Sequence, residues 1–222
     1  MDARDDLAAP GALERWRAES PPPRAVTCAY ADPLDLVWLA AAARLGWRVA
    51  RSADMYASWD GAGTLTLSAA EHMDPDDTLA QLIFHEACHA LVEGPAGWGR
   101  PDWGLENADA RHLVNELACH RAQAALAARH GLRDLLAVTT DWRPHYDALP
   151  ADPLAPCAAA GALDEEARAL ARAALARAEE APWREALGEA LRLTAALRAL
   201  VAPLAPPSSL WARGGALSRP GA

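Results

Sequence analysis

Apolar and polar positions change period several times along the chain, and each change marks an element. From Leu34 the run "LDLVWLAAAARLG" stays apolar over three turns and closes at Gly46, which predicts a helix. "WRVARS", "MYASWD" and "TLTLS" then read as three short strands. In the third, Leu65 and Leu67 point one way and Thr64, Thr66 and Ser68 the other, as in a strand with one buried face. Between the second and third, "DGAG" (Asp60 to Gly63) is a hairpin turn, because glycine tolerates the positive φ such turns need; these two strands should be antiparallel.

A helix is expected to start near Pro75 and run to Val92, with Asp74, Asp76 and Asp77 suiting the positive end of its dipole. "EGPAGWGRPDWG" follows as a loop, and a second long helix is predicted from Asn107 to His130, ended by Gly131 and possessing an N-terminal cap in Asn107. Leu132 to Leu149 is short and mixed. Beyond "PADPLAPCAAAG" two further helical patterns cover Leu163 to Glu180 and Pro182 to Val201, where Glu165 with Arg168 and Glu189 with Arg192 fall at helical spacings. The expected organisation is an N-terminal arm over 1–24 that ends in "ESPPPR", a body over 25–150, a C-terminal helical portion over 151–202 and a Pro-, Gly- and Ser-rich tail over 203–222.

Composition narrows the classes of partner. The chain of 222 residues is long enough to bury a core, and a net charge of -9 argues against nonspecific nucleic-acid binding, which needs basic patches. No stretch approaches the ~20 apolar residues of a membrane span, and the first residues lack the basic-then-apolar order of an export signal. The expected setting is cytoplasmic, without a nucleic-acid or membrane partner. Cys28, Cys88, Cys119 and Cys157 show no CxxC spacing and are expected to be free thiols.

The chemistry concentrates in "LIFHEACHALVEG", Leu82 to Gly94. On a helix His85 and His89 stand one turn apart and can point both imidazoles at one metal ion. Glu86 lies about 100° around the axis from His85, placed to act on a metal-activated water without being a ligand. A catalytic zinc needs a third protein ligand, and the second long helix offers Asp109, His112, Glu116 and His120 on one stripe. Glu116, in "NELACH", is the choice by residue type, with His112 and Asp109 as the alternatives.

"HEACH" followed by "NELA" resembles the zincin metallopeptidases of gluzincin type, in which HExxH on one helix is completed by a Glu on a later one. The order of elements over 34–131 is similar to that of the minigluzincins and the ImmA/IrrE-like peptidases. The resemblance implies an α+β, zincin-like fold: a small three-stranded antiparallel or mixed sheet packed on an HExxH helix and a ligand helix, with additional C-terminal helices. It implies one zinc ion on His85, His89 and Glu116, with Glu86 as general base, and a peptide or protein substrate extended along the edge strand nearest the active helix, expected to be "TLTLS". Transition-state help would come from His145 and Tyr146 in "RPHYDAL". Where many larger gluzincins carry an Asp one turn after the third ligand, this chain has His120, so orientation of a zinc histidine would come from elsewhere, with Asp109 and Glu106 as candidates. Trp98 and Trp103 either line or cover the substrate cleft, or plug the gap between the two long helices. The alternative function is a non-catalytic regulatory or binding protein that keeps a structural metal site.

Overall fold

The computed structural model describes residues 10–20, 25–105 and 112–212. Contacts divide the chain into two units, Met1–Ala31 and Asp32–Ala222. In the first, α1 (Ala12–Glu19) buries no residue and ends at Ser20, whose hydroxyl donates to the Trp16 carbonyl.

The second unit begins with α2 (Pro33–Arg44). Asp32 caps it by accepting from the Leu34 amide at 2.8 Å, Pro33 occupies the first turn, and Gly46 leaves it with φ 80°. Three strands follow, β1 (Arg48–Ser52), β2 (Ala57–Trp59) and β3 (Thr64–Ser68), in the spatial order β1-β3-β2. β2 and β3 are antiparallel, as their turn predicts, with Asp60 accepting from the Ala62 and Thr64 amides across it. β1 runs parallel to β3, which makes the sheet mixed. Leu65 and Leu67 are wholly buried. One expectation fails: "TLTLS" is the central strand, paired on both sides, and offers no free edge to a substrate. Its alternation of buried leucines and threonines does not distinguish a centre from an edge, because both faces of that pattern exist either way.

α3 (Leu79–Glu93) starts four residues later than Pro75. The aspartates before it are held in a turn of their own, Asp77 accepting from the Asp74 amide and the Tyr56 hydroxyl, and Thr78 serves as cap by accepting from the Gln81 amide at 3.1 Å. Thirteen of its residues are buried, so it runs through the core, with Phe84 against Trp38 of α2. The short α4 (Pro95–Trp98) and a 3-10 turn at Pro101–Gly104 lead to α5 (Leu113–Ala128), then α6 (Arg143–Asp147).

α7 (Asp164–Ala178) and α8 (Trp183–Val201) complete the unit. α7 lies on α5 and α3 through Ala167, Ala171, Ala174 and Ala178, small side chains that let helix backbones approach closely. α8 lies on α2, where the Trp38 indole donates to the Thr194 hydroxyl at 3.1 Å. Arg121 of α5 is fully buried and ties this end together, donating to Asp164 and to the Pro153 and Ala155 carbonyls. The described fold is therefore α+β, with eight α-helices and one small mixed sheet. None of the described helices is long and apolar enough to cross a membrane.

Candidate metal centre

α3 and α5 pack side by side, and that packing sets the geometry of the site. His85 and His89 sit one turn apart on α3, their Nε2 atoms separated by 3.0 Å. Glu116, in the first turn of α5, places Oε1 3.4 Å from His85 Nε2 and Oε2 3.2 Å from His89 Nε2. Neighbouring ligands around a tetrahedral ion with bonds of about 2.0–2.1 Å stand roughly 3.3 Å apart, so these three donors have the spacing of one face of such a site.

Hydrogen bonds determine which nitrogens face the site. The Leu136 carbonyl can only accept, so Gln123, 2.9 Å from it, must donate there and turn Oε1 to His85. At 2.9 Å, His85 Nδ1–H therefore donates to Gln123, and Nε2 is the nitrogen directed into the site. Glu116 accepts from His120 Nε2–H at 2.9 Å; His120 Nδ1 then accepts from His145 Nδ1–H, also at 2.9 Å. His89 Nδ1 is buried and has no hydrogen-bond partner among the described residues.

Three electron-rich atoms this close need positive charge among them. Burial alone would lower the histidines, but the Glu116 carboxylate outweighs it, raising His85 to about 9 and His89 in the same direction. Glu116 in turn is held far below the usual carboxylate range, against its burial, by His89, His120 and His85. His120 goes the other way: burial lowers it to about 4, with Glu116 opposing, so it is a neutral donor. Burial and then Arg121 likewise lower His145.

His85, His89 and Cys119 form a group able to hold a metal ion, their donor atoms all within 4.8 Å of one another. Cys119 and Glu116 differ in how they meet it. The Cys119 sulfur lies 3.6 Å from His85 Nδ1, the nitrogen engaged by Gln123, and burial followed by contact with Cys88 pushes its pKa well up, which disfavours the thiolate a metal requires. Glu116 faces Nε2 of both histidines and is already anionic.

Glu86 is only 7% exposed and accepts from the Trp103 indole N–H at 2.8 Å. The loop that delivers Trp103 is tightly made. Asp102 and Trp103 both take left-handed backbone conformations, with φ 46° and 59°, and Asp102 accepts from the Ser58 hydroxyl and the Trp59 amide of β2. A Cβ at Gly97 would fall 2.8 Å from the Trp103 carbonyl oxygen, so only glycine admits this approach. The Trp103 ring stacks on Trp59, centroids 4.6 Å apart and planes 5° off parallel. Trp98 instead donates to the Ala90 carbonyl of α3.

The structure thus brings His85, His89, Glu116 and Glu86 to neighbouring positions on two helices. His145 reaches them only through His120. Tyr146 does not join them: its hydroxyl donates to the Arg133 carbonyl and its ring lies in a separate cluster with Ala124, Ala137, Val138 and Leu149. His112 directly precedes α5, while Glu106, Asn107 and Asp109 lie outside the described residues. Sequence reasoning missed Gln123 and the Trp103–Glu86 contact. Gln123 carried a signal, standing two turns after Glu116 on the same face of α5, with His120 between; Trp103 carried none beyond its place in a glycine-rich loop. No protein-family model matches the chain, and comparison with curated proteins and with solved structures likewise finds no match.

Proposed function

We propose that the chain is a zinc-dependent hydrolase of zincin-like architecture, a peptidase of gluzincin type acting on a peptide or protein in the cytoplasm. The observation that carries this reading is the convergence of His85 Nε2, His89 Nε2 and the Glu116 carboxylate at 3.0–3.4 Å, beside a glutamate that is not part of the donor set. Two imidazoles and one carboxylate suit zinc, and such a set leaves a coordination position for water. Zinc, when bound there, supplies a Lewis acid and lowers the pKa of water.

The protein's own residues account for the remaining steps. Gln123 keeps the His85 ring turned with Nε2 inward, and His120 holds the Glu116 carboxylate. Glu86 is the general base: with Oε2 held by Trp103, Oε1 is left to take a proton from water as it attacks a carbonyl, and to return it to the leaving amine. The test is Glu86→Gln, which keeps the shape and the acceptor for Trp103 but cannot hold the proton. Metal content should be unchanged and cleavage of a peptide library reduced by about 10²–10⁴-fold; undiminished cleavage refutes the assignment. The second reading is a non-catalytic protein using the ion for structure, and the burial of Glu86 under Trp103 is the observation on its side.

A further inference from the structure

The loop that carries Trp103, the hairpin turn and the start of α8 line a cleft of about 390 Å³. Five tryptophans line it, Trp47, Trp59, Trp98, Trp103 and Trp183, together with Leu45, Pro182 and the backbone and small side chains at Gly46 and Gly61–Gly63. The space beside Gly46 is open: a Cβ there would meet no atom within 4 Å. None of the lining side chains carries a charge.

The walls select the chemistry of an occupant. A charged group would leave water without finding an ion pair, so the occupant is uncharged. The rings also cover one another: Trp59 and Trp103 are stacked, and Trp47 lies 5.4, 5.3 and 5.9 Å from Trp59, Trp103 and Trp183. Faces spent on neighbouring rings are not offered to a cation, and ring edges, which are positively polarised, prefer the face of another ring. Trp103 then joins the cleft to the candidate centre, because the ring that forms its wall donates to Glu86 at 2.8 Å.

We propose that this cleft is a subsite for an uncharged aromatic side chain of the substrate. That the ring belongs to a substrate rests on the hydrolase reading; that the cleft takes a ring does not. The full-length protein, labelled with ¹⁵N at its tryptophans, is titrated with N-acetyl-phenylalaninamide, N-acetyl-leucinamide and N-acetyl-argininamide while the indole N–H resonances are followed. The phenylalanine amide should bind roughly tenfold more tightly than the other two, shifting Trp103 and Trp183 most. Ala62→Phe, at the exposed rim, should fill the cleft and abolish the shifts, whereas His89→Ala should lose metal and keep them. Equal affinity for the three amides, preference for the arginine amide, or unchanged binding in Ala62→Phe overturns the proposal. Ring binding in a wild-type protein that takes up no zinc would instead overturn the hydrolase reading alone.

Discussion

Gln123→Met separates the support of the centre from its ligands. Gln123 is fully buried and makes two bonds at 2.9 Å, accepting from His85 Nδ1 and donating to the Leu136 carbonyl. Methionine fills nearly the same volume and makes neither. Each orphaned buried partner costs about 1–3 kcal/mol, so the ion-free variant should be destabilised by roughly 2–6 kcal/mol. For a unit of this size that lowers the melting temperature by about 2–4 °C per kcal/mol. Zinc affinity should fall by about 10–100-fold, the usual effect of removing a group that orients a ligand histidine, or about 1.4–2.7 kcal/mol. Competition against a chromophoric chelator measures the affinity, and melting of chelator-treated protein measures the stability. Gln123→Glu distinguishes the two roles: it retains an acceptor for His85 and lacks the donor for Leu136, so it should keep zinc affinity while losing stability. A folded Gln123→Met protein that binds zinc as tightly as wild type would refute the reasoning.

The centre should also respond to pH with a definite sign. Since His85 is raised from 6.5 to about 9 in the ion-free fold, its contribution to stability is complete below pH 6.5 and disappears as the pH climbs towards 9, whereas bound zinc replaces those protons. The gap in melting temperature between zinc-loaded and chelator-treated protein should therefore widen from pH 6.5 to 9; a constant or shrinking gap contradicts it. Trp103→Phe keeps the stacking ring but removes the donor to Glu86, and should cost about 1–3 kcal/mol in chemical denaturation with zinc stoichiometry intact. An unchanged denaturation midpoint would show that this bond contributes nothing to the fold.

Local signals carried much of the architecture. The Gly46 stop, the Asp60–Gly63 turn and the alternation of Leu65 and Leu67 each depend on a few adjacent residues, and each appears as read. The start of α3 was displaced because aspartates near a helix end can bond one another's backbone instead of capping, as Asp77 does with Asp74. The parallel pairing of β1 with β3 depends on partners distant in sequence, so the central place of "TLTLS" was not visible. At the centre, HExxH was legible as helical spacing, and Glu116 stood out only among four candidates on one stripe. The proton order through Gln123, His120 and His145 required the packing of α5 against the Leu136 carbonyl and α6. The seating of Trp103 on Glu86 required a loop whose two left-handed residues are not glycine.

The most direct measurement is elemental analysis of the purified protein beside His89→Ala and Glu116→Ala. One zinc per chain in the wild type, lost or greatly weakened in both variants, is the predicted result. Zinc lost with His89→Ala but retained with Glu116→Ala would move the third ligand elsewhere, with Cys119 the nearest candidate. A wild-type protein that carries no metal and binds no added zinc would contradict the account at its centre.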